Sequence, residues 1–131
     1  MRFLSIYKAV ETMQPPSSEH IANMEKLIEE SMRSGELLAT EGCLPSVFGA
    51  RVRLSDGKVT VVDGPFSESK EVVGGFAILQ ADSKEAAIEM ARKFLAVAGN
   101  GECEIRQIFE APGAGATADC HSQLQQQFAG Q

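Results

Sequence analysis

The chain has no run of about 18 apolar residues, the length a membrane-crossing helix needs, so no helical span is expected. It has no C-x-x-C pair. Its three cysteines, Cys43, Cys103 and Cys120, are widely spaced, and an odd count in that arrangement frames neither a disulfide scaffold nor a zinc site. Basic residues are scattered, and 12 Lys and Arg stand against 18 Asp and Glu for a net charge of −6. Phosphate backbones are gripped by clustered cations, so nucleic acid is not an expected partner. Neither G-x-x-x-x-G-K-[ST] nor G-x-G-x-x-G occurs, which removes the common phosphate-binding loops, and there is no G-x-S-x-G for a serine nucleophile. No metal and no cofactor is expected. The opening residues, Met1-Arg2-Phe3-Leu4-Ser5-Ile6-Tyr7, lack the long apolar segment and small-residue cleavage site of an export signal. The expectation is a cytoplasmic chain with reduced thiols, Cys43 and Cys103 packing as small hydrophobes.

What is present suits one domain: 131 residues, 44% hydrophobic and 23% charged, are enough for a single core without staples. Residues 2–8 alternate as a strand does, with Leu4 and Ile6 on one side and Phe3, Ser5 and Tyr7 on the other. Pro15-Pro16-Ser17-Ser18 ends that pattern and supplies a helix-capping hydroxyl. Ile21, Met24, Leu27, Ile28 and Met32 then recur at helical spacing, predicting a helix over about 18–34 closed by Gly35. Residues 37–44 read as a short irregular strand. Ala50, Val52 and Leu54 alternate with Arg51 and Arg53, Asp56-Gly57 turns the chain, and Val59-Thr60-Val61-Val62 returns as a hairpin. Phe76-Ala77-Ile78-Leu79 is apolar throughout, as a central strand would be. Asp82 and Glu85 resemble a capping box, and Ala87, Met90, Ala91, Phe94, Leu95 and Ala98 form the stripe of a second helix. In a last strand Cys103, Ile105, Gln107 and Phe109 share one face. Residues 1–110 thus form the domain, and 111–131, opening with Pro112-Gly113-Ala114-Gly115-Ala116, read as a flexible or weakly helical tail.

This order of elements is that of an α+β fold, a ferredoxin-like split βαβ with an added hairpin. Two helices cover one face of such a sheet. The other face, to which Phe3 and Tyr7 are assigned, needs a cover of its own, and a second copy supplies it, so a homodimer is expected.

Residues 63–76, Asp63-Gly64-Pro65-Phe66-Ser67-Glu68-Ser69-Lys70-Glu71-Val72-Val73-Gly74-Gly75-Phe76, closely resemble the signature of the DGPF-domain proteins, a branch of the YCII-related family. Gly35-x-Leu37, Glu41-Gly42-x-Leu44, Asp56-Gly57 and Glu104-x-Arg106 fit the same pattern, and the resemblance covers residues 1 to about 110. It implies a ferredoxin-like domain that pairs through its sheets as a dimeric α/β-barrel. The family's activity is largely undefined. YCII-type relatives are regarded as enzymes on account of a recurrent His and Asp, and DGPF members are often associated with sigma factors of the extracytoplasmic-function type. His20-Ile21-Ala22-Asn23-Met24-Glu25-Lys26-Leu27 resembles the His-bearing first helix of YCII proteins, while Lys93-Phe94-Leu95-Ala96 lacks the Asp-Pro-Tyr that those proteins often show.

Each polar candidate has a structural and a functional reading. Asp63 either braces its Gly-Pro turn or, with Glu68, Lys70 and Glu71, stands at a cleft mouth where a carboxylate can act as a base. Gly74-Gly75 lets backbone approach closely, to a strand or to a ligand. Ser5, Tyr7, Arg51, Arg53, Glu104 and Arg106 are placed on the side away from the helices, where guanidinium groups form ion pairs or hold a small anionic ligand. His20 is either an exposed helical histidine or an acid–base group. The two surviving functions are a small-molecule enzyme with a pocket near the 63–66 loop, using His20 or Asp63 as acid or base and an arginine to bind the substrate, and a noncatalytic ligand- or partner-binding module linked to sigma-factor regulation.

Overall fold

A computed structural model describes residues 1–110; the expected tail, with Cys120, lies outside the described residues. The alternation of the first residues becomes β1 (Arg2–Ala9). Ser17 then caps α1 (Ser18–Arg33): its hydroxyl accepts the His20 N–H at 3.1 Å, satisfying one of the donors a helix start leaves open. Three further strands and a second helix complete the main layer: β2 (Leu37–Gly42), β5 (Val72–Gln80), α2 (Lys84–Ala98) and β6 (Glu102–Gln107). Between β2 and β5 the chain makes a separate hairpin, β3 (Ala50–Ser55) with β4 (Lys58–Asp63). Asp56 and Gly57 both take positive φ there, as a two-residue hairpin turn requires. The cap of α2 is Ser83, whose Oγ accepts the Ala86 N–H at 3.1 Å, and not the expected Asp82. Both residues are sound caps, and the one in extended conformation directly before the helical turn wins.

The four-stranded sheet has the order β2-β5-β1-β6, with every neighbouring pair antiparallel. The described chain is therefore a mixed α+β domain with an antiparallel sheet and two helices. Register fixes which side chains face the helices. Phe3 pairs with Leu79 and Gln107, Ser5 with Ala77 and Ile105, and Tyr7 with Gly75 and Cys103. Phe3 and Leu79 are buried with Leu37, Ala81 and Ala87, so this set is the core face. The expectation that Phe3, Ser5 and Tyr7 point away from the helices is thus corrected: alternation gives two sets of side chains, and burial of Phe3 at 2% exposure decides which set lies inside. The opposite face carries Leu4, Ile6, Phe76 and Ile78, with Glu104 and Arg106 beside them.

Candidate functional site

Helix α1 has an apolar stripe but no buried residue. Met24, Leu27 and Ile28 are half-covered, and Ile21 and Met32 are exposed at 43% and 47%. The helix stands off the sheet, and the space beneath it is a cleft of about 430 Å³ between α1, α2 and the strands. Its wall is mostly apolar: Met24, Leu27, Ile28, Ala77, Leu79, Met90 and Phe94. Small-molecule sites have this character, a largely apolar cavity with few polar groups.

The polar lining is built from known local causes. The Ser17 cap fixes the first turn of α1, and His20 in that turn lines the cleft. Tyr7 closes the same end. Its ring meets Phe94 edge-on, with centroids 5.2 Å apart and planes at 79°, and its hydroxyl donates to the Asn100 carbonyl at 2.8 Å. Burial pushes the Tyr7 pKa up, with smaller contributions from Cys103 and Glu71. Burial likewise raises the Cys103 thiol, against a lowering hydrogen bond with Ser5. Thr40 donates to the Phe76 carbonyl at 2.9 Å. Lys93 on α2 also lines the cleft, a residue that sequence reading passed over because an exposed lysine on a helix carries no signal of its own.

Of the residues singled out from sequence, the cleft gathers His20, Tyr7, Gly74 and Gly75. The two glycines are explained by packing. A β-carbon on Gly75 would lie 2.8 Å from the Glu41 carbonyl oxygen of the neighbouring strand, and one on Gly74 would lie 3.2 Å from the Tyr7 ring. Asp63 lies elsewhere, exposed at the end of β4 and paired with Ala50.

The other candidates cluster around the 64–70 loop and the outer sheet face. Arg51 stacks on Phe66 with its guanidinium carbon 3.8 Å from the ring centroid, pairs with Glu68 and donates to Ser69 Oγ at 3.0 Å. Glu68 is held below the usual carboxylate range, first by a backbone hydrogen bond and then by Arg51. Glu71 and Arg51 border a second, more open groove of about 650 Å³ with Lys8, Cys43 and Phe48. Arg53 and Lys70 are exposed. Arg106 lies on the outer face, 3.4 Å from Glu104. Arg51 and Arg53 therefore sit on the separate hairpin and not on the main sheet, because β3 pairs with β4 alone.

The loop itself is a clasp. Buried Ser46 donates through Oγ to Glu11 at 2.7 Å, accepts the Phe66 N–H at 3.0 Å, and gives its own N–H to the same Glu11 carboxylate. Gly64 N–H donates to the Gly49 carbonyl at 2.9 Å. These bonds tie the 64–66 segment to residues 46–49. The turn is braced by Ser46 and Glu11 and not by Asp63, whose carboxylate makes no hydrogen bond among the described residues.

Comparison with known proteins adds a family. A family model for the YCII-related domain matches residues 1–112. An uncharacterised protein of Rhizobium meliloti (strain 1021) is 32% identical over 78 residues, 59% of this chain and 63% of that protein, so the chain spans under two thirds of that relative's length. Among solved structures, 5-chloro-2-hydroxyhydroquinone dehydrochlorinase from Burkholderia phenoliruptrix AC1100, in complex with 2,5-dihydroxybenzoquinone, aligns over 82% of this chain and 93% of its own. Its identity is 16% and its TM-score 0.46.

Proposed function

Proceeding from a chain that belongs to the YCII-related domain family, we propose that it is a small-molecule enzyme whose substrate occupies the cleft under α1, with His20 as the acid–base group. One observation carries this reading: α1 presents an apolar stripe that the protein leaves half-covered, above a cavity of about 430 Å³ with an imidazole in its lining. A helix is normally held by the apolar face it buries. Here the missing cover has the size of a ligand, and an imidazole, which can both give and take a proton, stands beside it. Asp63 and the arginines are given no part in this chemistry, since Asp63 lies outside the cleft and Arg51 is engaged with Phe66, Glu68 and Ser69.

The test is a thermal-shift screen of metabolites, in which a ligand at 100 times its dissociation constant adds about 2.7 kcal/mol of stability. A hit should be turned over by the parent chain and bound but not converted by His20→Ala. Full turnover by that variant would remove His20 from the reaction, and hits that bind equally well after Met24→Trp has filled the cleft would remove the cleft.

The fold reading that goes with this is a ferredoxin-like domain, supported by the strand order, that pairs with a second copy of itself. Support for pairing comes from the hairpin, where Val52, Leu54, Val59 and Val61 are each at least 61% exposed. Uncovered apolar surface of that kind is what a second copy would bury.

A further inference from the structure

The geometry points to an organic anion as the ligand: an apolar body between the helices and the sheet, and a carboxylate held by Lys93. This deepens the proposal above and rests on the cleft being the ligand site. Two of the cleft's polar side chains are already engaged by the protein. Tyr7 gives its hydroxyl proton to the Asn100 carbonyl at 2.8 Å, and Thr40 gives its own to the Phe76 carbonyl at 2.9 Å. A ligand body reaching past them meets side chains such as Met24 and Phe94, so it has to be apolar.

The charged lining is more selective. Lys93 lines the cleft, and no carboxylate of the described residues makes an ion pair with it; Lys26, Arg53, Lys58, Lys70 and Lys84 also make none, but they do not line the cleft. Two glutamates also border the cavity, but neither shares its place. Glu36 follows Gly35 at the C-terminal end of α1, opposite the end where Ser17 and His20 begin that helix. Glu41 pairs with Phe76, which pairs with Ile6 on the face away from the helices, so the alternation sends its side chain outward. An ammonium without a counter-ion at an apolar cavity favours a carboxylate, through a charge-assisted hydrogen bond, over a neutral head or a second cation.

The experiment labels the methionine methyl groups of the full chain with carbon-13 and follows them by NMR, because Met24 and Met90 line the cleft while Met1 and Met13 do not. The probes are 3-phenylpropionate and its neutral isostere 3-phenylpropanamide. The carboxylate is expected to shift Met24 and Met90 and to bind about tenfold more tightly than the amide. Lys93→Gln should abolish that difference while leaving the free protein folded, with the melting temperature of the parent, as expected of an exposed position. Equal binding of the two probes, or a preference that survives Lys93→Gln, overturns the anion assignment and leaves the cleft as a ligand site. If neither probe reaches Met24 or Met90, the anion assignment and the cleft reading fall together.

Discussion

A β-carbon placed on Gly64 would lie 1.7 Å from the carbonyl oxygen of Ser46 and 2.6 Å from its carbonyl carbon. Both are backbone atoms held by the clasp, since Ser46 binds Glu11 on one side and Phe66 on the other. No rotamer change relieves such a contact, so the glycine between Asp63 and Pro65 is required by space.

Gly64→Ala should accordingly be the most damaging of the glycine substitutions. The expected loss is at or above the top of the roughly 1–3 kcal/mol range for an overpacked site. Gly42→Ala is the control, because a β-carbon there meets nothing within 4 Å. Urea unfolding of the two variants, compared by midpoint at constant slope, gives the answer. Equal midpoints would mean that the clasp yields at no cost.

Phe3 gives a second prediction. At 2% exposure it is packed against Leu79 and Ala87, so Phe3→Ala should cost about 3–5 kcal/mol, as truncation of a buried aromatic does. A loss of about 0.5 kcal/mol or less, typical of a surface position, would put Phe3 on the outer face after all.

That residue also shows how much of the fold was legible from sequence. The period of two in residues 2–8 names the sets Phe3-Ser5-Tyr7 and Leu4-Ile6, and the register keeps them apart as expected. It does not say which set lies under the helices, because both contain large apolar side chains and only assembly of the sheet decides. The helices and the Asp56-Gly57 hairpin turn were readable because spacing and turn chemistry are local, whereas the separation of the hairpin from the main sheet was not, since strand pairing is long-range. The site was half readable. His20 is marked by its residue type, and Tyr7 by being the one tyrosine. Lys93 is one of many helical cations, and its meaning comes from a cavity that no local pattern encodes. Arg51 was legible as a cation but not as the lid on Phe66, a contact between residues 15 positions apart in the chain.

The pair Lys8–Glu104 sets a pH prediction. Lys8 Nζ donates to Glu104 Oε1 at 2.9 Å across β1 and β6. The hydrogen bond to Lys8 holds Glu104 below its usual value of 4.5, and the same bond holds Lys8 above 10.5. A depressed carboxylate stabilises the fold above its unfolded pKa, and that contribution is lost as pH falls through the folded value. A raised lysine stabilises below its unfolded pKa, and its contribution is lost as pH rises through the folded value. The melting temperature of the parent chain should therefore exceed that of Glu104→Gln by a constant margin at intermediate pH. The margin should shrink below pH 4.5 and again above pH 10.5. Parallel curves across that range would show that the pair contributes nothing measurable, a common result for exposed ion pairs.

The hairpin carries the last prediction. Its register pairs Val52 with Val61 and Leu54 with Val59, so these four side chains form one apolar patch on one face, while Arg51, Arg53, Thr60 and Val62 take the other. The arginine face is anchored through Arg51 on Phe66, and the valine face is exposed at 61–71%. A two-stranded hairpin is marginal by itself in water, so an uncovered apolar face is a poor way to keep one folded. If a second copy covers it, Val52→Lys with Val61→Lys should leave the monomer fold intact and place like charges in the contact. Sedimentation should then report about 14.1 kDa for the double variant and twice that for the parent. A parent that sediments as a monomer removes the pairing altogether. A double variant that stays dimeric moves the contact off the hairpin, with the outer sheet face of Leu4, Ile6 and Phe76 the next surface to test.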